Sequence, residues 1–248
     1  MAGGAALGLE APPWIVGHRG AAGEAPENTL PSFLLAAQQG ADMIELDVQL
    51  AADGELVVVH DWDLERLAGV PLVVEETAAA ALRPHAVGAV AGAPCWIPEL
   101  AEVLTALPPG LPLNLELKRR RADRARLVDA VLRAVAGRER VLVSSFDWEL
   151  LRQLRRRVRE LPLAPIAERE PARLLAAGRE LDAATLHCHR RLATRGLAGA
   201  ARRAGQPLLA YTVNQPKGAR RLFGVGVAGV FTDHPGALRR GLVVGVGD

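Results

Sequence analysis

The stretch "MIELDVQLAADGELVVVHD", residues 43–61, holds two β-rich runs, and the first alternates in an unusual way. In "MIELDV" a period of two puts Met43, Glu45 and Asp47 on one face and Ile44, Leu46 and Val48 on the other. The apolar face suits packing beneath helices. The opposite face sends two carboxylates inward, where an unpaired charge is costly. "LPLNLELK" (111–118) repeats the device, with Asn114, Glu116 and Lys118 on one face and Leu113, Leu115 and Leu117 on the other. Acids on the inner face of two strands break the usual rule for a packed interior, so these strands are expected to frame a site.

Outward from this stretch, short β-rich runs alternate with amphipathic helical segments. Strands are expected over 14–18, 43–48, 55–60, 111–118, 140–146, 161–166, 183–188, 207–213 and 227–232. Helices are expected over 29–39, 98–106, 121–136, 147–159, 170–178, 192–204, 215–223 and 234–241. Such alternation implies βαβ units and a parallel sheet. Counting 43–48 and 55–60 as one hairpin-like element leaves about eight repeats, the number of a (β/α)8 TIM barrel. An open doubly wound sheet is the competing architecture, often with a glycine-rich loop after its first strand. No G-x-G-x-x-G follows residue 18, which favours the α/β barrel. Residues 61–97 fit the alternation poorly and are expected to form a small insertion after the strand ending at His60. The chain is thus expected to have a flexible N-terminal tail, 1–13, and one barrel domain, 14–248.

Composition narrows the function. Half of the 248 residues are hydrophobic and only 4% aromatic, so the core must be aliphatic. The formal charge of +2 gives no electrostatic argument for nucleic acid as a partner. Arginine clusters in "KRRRADRAR" (118–126) and "RQLRRRVRE" (152–160) read as solvated helix faces. Cys95 and Cys188 are too few to form a disulfide framework, which fits a reducing, cytoplasmic setting. The first residues do not read as a signal peptide, and no apolar run approaches the ~18–20 residues of a membrane span.

His18 ends "WIVGH" in phase with Trp14 and Val16, and His60 ends "LVVVH" in phase with Leu56 and Val58. In a barrel both emerge at the C-terminal mouth, beside Glu45, Asp47 and Glu116. Three clustered carboxylates repel one another unless a cation lies between them, and all-oxygen ligation suits a hard divalent ion such as Mg²⁺ or Ca²⁺. The plainer alternative is a set of ion pairs with Arg19 and Lys118 as partners. Asn28 is expected to cap the helix that follows, with Pro31 in its first turn. His187 and His189 in "HCH" lack the further partners of a zinc site, and Ser145, in phase with Val141 and Val143, is a candidate pocket residue.

Taken together, "HRG" (18–20), "PENTLPSF" (26–33), "GADMIELDVQLAADGELVVVHD" (40–61), "ELK" (116–118), "SSF" (144–146), "YTVN" (211–214) and "GVFTDHP" (229–235) resemble the glycerophosphodiester phosphodiesterases. The resemblance implies metal-dependent hydrolysis of a small-molecule glycerophosphodiester to sn-glycerol 3-phosphate and an alcohol. It implies Glu45, Asp47 and Glu116 as metal ligands and His18 and His60 as the acid–base pair. By the same match, Arg19 and Lys118 hold the phosphate and Tyr211 offers an aromatic wall to glycerol. Tyr211 stands where the family usually has Trp, Ala occupies a usually polar place in "AADG" (51–54), and 61–97 is less polar than a substrate cap would be. These departures bear on substrate preference. A metal-assisted lyase with Lys118 as base and a non-catalytic polyol-phosphate binding module are the other readings.

Overall fold

The structure, a computed structural model, describes residues 7–243. Its elements begin β1 (Trp14–Gly17), α1 (Leu30–Gln38), β2 (Met43–Leu50), β3 (Leu56–Val58), α2 (Glu65–Ala68), α3 (Ala79–Leu82), β4 (Ala86–Val90) and β5 (Ala93–Trp96). They continue α4 (Leu100–Ala106), β6 (Leu113–Leu117), α5 (Arg124–Ala134), β7 (Val141–Ser145), α6 (Trp148–Arg157), β8 (Leu163–Ala167) and α7 (Pro171–Glu180). The last are β9 (Leu186–His189), α8 (Arg195–Arg203), β10 (Leu208–Tyr211), α9 (Pro216–Gly224), β11 (Gly229–Thr232) and α10 (Pro235–Val243).

Parallel strands run in the order β1-β11-β10-β9-β8-β7-β6-β2, and pairing of β1 with β2 closes the circle. The chain is therefore the expected (β/α)8 barrel. β3 is no barrel stave. It runs antiparallel to β2, with Val58 opposite Val48, as the hairpin reading required. Outward-facing Ile44, Leu46, Val48, Leu113, Leu115 and Leu117 join the helix faces in one aliphatic core. The helices bury matching stripes: α6 contributes Leu150, Leu151 and Leu154, and Asp147 caps it by accepting from Leu150 N.

Inside the barrel, Trp14, Val16, Met43, Leu142, Ala164, Leu209 and Phe231 fill the lower layers. Leu7 joins them and is fully buried, and the Trp14 indole donates to Glu10 O. Within the expected tail, 1–13, Leu7 and Leu9 are the residues that pack on this apolar layer, while Gly8, Glu10, Ala11 and Pro13 are exposed. Residues 1–6 of that tail lie outside the described residues.

The insertion 61–97 holds α2, α3, a 3₁₀ turn (Val74–Glu76) and the β4–β5 hairpin over a small core of Val57, Val59, Leu64, Val74, Leu82 and Ile97. Glu75 docks it on the loop after β6, accepting from the N–H groups of Arg120, Arg121 and Ala122 at 2.8, 2.7 and 2.9 Å. Those arginines thus stand in a loop, since α5 starts only at Arg124. The second arginine cluster does lie on a helix face, with Arg152 paired to Glu180 and Arg156 to Glu149. No helix among the described residues is long and apolar enough to cross a membrane.

Candidate active site

Register sets the site. β2 and β6 pair so that Glu45 lies opposite Asn114 and Asp47 opposite Glu116, which stacks the acids on two adjacent staves above the apolar layers. One carboxylate oxygen from each of Glu45, Asp47 and Glu116 lies within 4.8 Å of the others. Two cations approach them. Arg19 Nε is 3.2 Å from Asp47 Oδ2, while Lys118 Nζ is 3.2 Å from Glu116 Oε1 and 3.6 Å from Asp47 Oδ1. Glu45 receives only a backbone donor, Arg19 N, at 2.8 Å.

The plain ion-pair alternative therefore falls one cation short. Burial, then the Asp47 charge, pushes the Glu45 carboxyl well above the ordinary range, and Glu116 moves the same way for the same two causes. Asp47 moves down: burial opposes its charge, but Lys118 and Arg19 outweigh that. Glu45 Oε1 and Asn114 Oδ1 are buried without a hydrogen-bond partner among the described residues. An all-oxygen cluster of three acids facing two cations, with orphaned oxygen atoms, fits a hard divalent cation.

The loop after β1 presents His18 and Arg19. Arg19 adopts φ +53°, a sparsely populated conformation for a non-glycine residue. It is over-determined by its neighbours: Arg19 N donates to Glu45, and Arg19 O accepts from Asn28 N and Ser32 Oγ. Asn28 is not the expected helix cap, since α1 follows Thr29. Its amide instead donates to Asp47 Oδ2 at 2.8 Å and accepts from Asp47 N at 3.1 Å. Asn28 also sits at φ +57°, where Asn is tolerated better than Ala. Asn28→Ala is expected to lose about 2 kcal/mol of stability from this strain and the lost bonds, read by urea unfolding.

Each histidine has its own carboxylate. His18 Nδ1 donates to Asp233 Oδ1 at 2.7 Å, and Asp233 Oδ2 accepts from Asn214 Nδ2 at 2.6 Å. His60 Nδ1 donates to Asp61 Oδ1 at 2.7 Å. Both aspartates are held below the ordinary carboxylate range against the opposing effect of burial, chiefly by His18 for Asp233 and by Arg66 for Asp61. An ionised carboxylate only accepts, which leaves Nε2 of each imidazole free for chemistry. His60 does not arrive by strand phase: Leu56 and Val58 pack in the outer core, and the chain turns after β3. Arg66 then ties the two halves of the site together, bonding Asp61 Oδ2 at 2.5 Å and Glu27 Oε1 at 2.7 Å, with Glu27 in turn 2.8 Å from Arg19 Nη1.

The two imidazoles differ electrically. Burial would lower His18, but Asp233, Glu45 and Asp47 outweigh it and hold its pKa above the usual value. Burial lowers His60, and Lys118 and Arg19 add to this against Asp47 and Asp61.

His18, Arg19, Glu45, His60, Glu116, Lys118 and Tyr211 line one cavity of about 170 Å³, and Asp47 lies at its acidic wall. His187 lines it too, fully buried and 4.9 Å from the Phe231 ring; burial pushes it down to about 3, so it is neutral there. His189 instead stands edge-on to Tyr211 at 5.9 Å. Ser145 does not line this cavity but the adjoining groove beside Phe146, where it donates to Leu117 O and accepts from Asp147 N. Asp61, Asp233, Asn28 and Asn114 are the site residues that the sequence reading did not assign. The adjacency of Asp61 to His60 and the shared face of Asn114 with Glu116 were the local signals among them.

Residues 18–237 match the family model of the glycerophosphoryl diester phosphodiesterase family. A glycerophosphodiester phosphodiesterase of Bacillus altitudinis is 32% identical over 235 residues, covering 89% of this chain and 94% of its own. One from Caldanaerobacter subterraneus is 28% identical over 231 residues, 90% of this chain and 95% of its own. An Oleispira antarctica phosphodiesterase, solved in complex with the product sn-glycerol-3-phosphate, superposes with a TM-score of 0.86 at 29% identity, covering 93% of this chain and 97% of that one. With the barrel, the carboxylate cluster and the two histidines at one mouth, these matches establish that the chain is an enzyme belonging to the glycerophosphoryl diester phosphodiesterase family.

Proposed function

We propose that this enzyme hydrolyses glycerophosphodiesters to sn-glycerol 3-phosphate and an alcohol with a divalent cation held by Glu45, Asp47 and Glu116. The observation that carries the metal dependence is the three-acid, two-cation imbalance, with Glu45 Oε1 left unpartnered. When bound, Mg²⁺ or Ca²⁺ supplies Lewis-acid neutralisation of the phosphate oxygens.

The chain's own residues do the remainder. Arg19 and Lys118 hold the phosphate between charge-assisted hydrogen bonds, and Tyr211 walls the glycerol carbons. His60, kept neutral by its lowered pKa, takes a proton through Nε2 from the attacking water, or from the substrate's own 2-hydroxyl, whose cyclic phosphate a water then opens to sn-glycerol 3-phosphate. His18, whose pKa is raised toward the protonated form, gives its Nε2 proton to the departing alkoxide. Asp61 and Asp233 fix the two tautomers and aim the rings. The lyase reading loses its base: burial disfavours the Lys118 charge, but Asp47 and Glu116 outweigh it and hold Lys118 as a cation. A binding module has no use for two oppositely tuned histidines.

The test is release of sn-glycerol 3-phosphate from glycerophosphocholine, glycerophosphoethanolamine and glycerophosphoglycerol with Mg²⁺, with Ca²⁺ and with EDTA. EDTA is expected to abolish release and added metal to restore it. Release that persists in EDTA after dialysis sinks the metal assignment, and no release with either ion sinks the substrate assignment.

A further inference from the structure

The insertion 61–97 has little of the polar character that a lid over a substrate would need, yet it grips the loops that carry the site. A Cβ built at Gly88 would lie 2.6 Å from Pro26 Cγ, so β4 sits directly on the loop that runs from Arg19 to Asn28. Glu75 holds the loop after Lys118 through the backbone of Arg120 and Arg121. Arg66, on α2, reaches Glu27, the neighbour of Pro26, and Asp61, the neighbour of His60.

The Arg66 guanidinium serves the two carboxylates with different nitrogens. Nε bonds Asp61 Oδ2 at 2.5 Å, while Nη1 and Nη2 bond Glu27 Oε2 and Oε1 at 3.2 and 2.7 Å. Each carboxylate also bonds a residue of the site: Asp61 Oδ1 takes His60 Nδ1 at 2.7 Å, and Glu27 Oε1 takes Arg19 Nη1 at 2.8 Å. Burial opposes the Glu27 charge, but Arg66 and Arg19 outweigh it, so both links stay ionic. An unbroken chain thus runs from the His60 ring through Asp61, Arg66 and Glu27 to Arg19.

His60 needs such a chain and His18 does not. Behind Asp233, the partner of His18, stands Asn214 from the barrel itself. His60 follows a turn after β3, where Gln49 fixes the backbone by donating to Val59 O and Asp61 O at 2.9 and 2.7 Å. No strand register sets the ring or the Asp61 carboxylate. A planar guanidinium fork can hold two carboxylates at fixed angles, which a point charge on a flexible stem cannot.

We propose that the insertion is a brace for the site and that Arg66 is its positioning residue, aiming the His60 imidazole through Asp61 and the Arg19 guanidinium through Glu27. The kinetic part of this inference rests on the phosphodiesterase reading above. Arg66 is half exposed and lies outside the cavity lining, so it acts through its partners. It keeps Asp61 and Glu27 from turning to water, which would let the His60 tautomer exchange and Arg19 drift from the phosphate position.

The experiment compares the wild type, Arg66→Gln, Arg66→Lys and Glu27→Gln. Arg66→Gln is expected to lower kcat/KM for glycerophosphodiesters ~10–100-fold, the scale on which a residue behind a site ligand acts. Its thermal unfolding is expected to change little, because exposed ion pairs add little stability. Arg66→Lys is expected to recover part of the loss, through one carboxylate only. Glu27→Gln is expected to raise KM and spare kcat, since it frees Arg19 and leaves the bond from Arg66 to Asp61. Nitrogen NMR of the imidazoles reads the brace without turnover. Neutral His60 is expected to carry its proton on Nδ1 in the wild type and in Glu27→Gln, and to mix both tautomers in Arg66→Gln. If no diester is cleaved but that pattern holds, the catalytic reading fails and the brace stands. An unchanged His60 tautomer in Arg66→Gln, or a kcat/KM within two-fold of wild type, overturns the proposal.

Discussion

Glu45→Gln is expected to cut glycerophosphodiester hydrolysis by at least ~10²–10³-fold, the scale on which removing one electrostatic stabiliser of a developing charge acts. The same variant, without metal, is expected to melt at or above the wild-type temperature. Both effects have one cause. Glu45 is buried beside Asp47 and Glu116, with a folded-state pKa raised above its ordinary value. A raised carboxyl pKa means that the folded state disfavours the charged form. At neutral pH, where the unfolded chain ionises that acid freely, the wild type therefore loses stability that a neutral isostere regains. Gln keeps the volume and can still accept from Arg19 N. Calorimetric titration with Mg²⁺ and Ca²⁺ is expected to show binding to the wild type and loss of it in the variant, with thermal unfolding read alongside. Lower stability together with unchanged metal affinity would make Glu45 a structural acid. The expected pattern, by contrast, makes the site a case of stability given up for function, the usual cost of assembling like charges in a dry interior.

The count of strand–helix repeats was enough to read the barrel, and period-two patterning the acidic trio, because β2 and β6 carry polar residues on one face only. Where both faces are apolar the phase is silent. β7 runs Val-Leu-Val-Ser-Ser, so the sequence offers no sign that Leu142 and Ser144 point inward and Val143 and Ser145 outward. His60 was placed correctly for a reason that does not hold, since a turn after β3 and not strand phase brings it to the cavity. Asn28 illustrates the opposite failure. An Asn just before a helix is ordinarily a cap, and only the fold reveals that its partner is Asp47, 19 residues on. Asp233 lies 215 residues from His18, and barrel closure alone brings the two together. Leu7 had no pattern around it, yet the open floor of the barrel supplies a place to bury it.

His18→Ala and His60→Ala are each expected to lower kcat by ~10²–10⁴-fold while leaving metal binding in place, since neither imidazole is in the carboxylate cluster. The two variants are expected to part company on the leaving group. His18, as the acid, is needed only where the departing alkoxide must be protonated. A glycerophosphodiester of nitrophenol, whose leaving group departs unprotonated, is therefore expected to recover most of its rate with His18→Ala and little with His60→Ala. The reverse pattern exchanges the two roles; equal loss on both substrates removes the acid–base assignment. The pH profile gives an independent reading. The enzyme needs His60 neutral and His18 protonated, and the shifts run in opposite directions from 6.5, His60 down and His18 up. Activity is thus expected to rise on an acid limb below 6.5 and fall on an alkaline limb above 6.5. The Asp233 contribution to His18 is made through Nδ1, on the far side of the ring from the reacting nitrogen, so it does not depend on the charge of the acidic trio. Asp233→Asn removes that support, and the alkaline limb is expected to move to lower pH while the acid limb, set by His60, stays where it was.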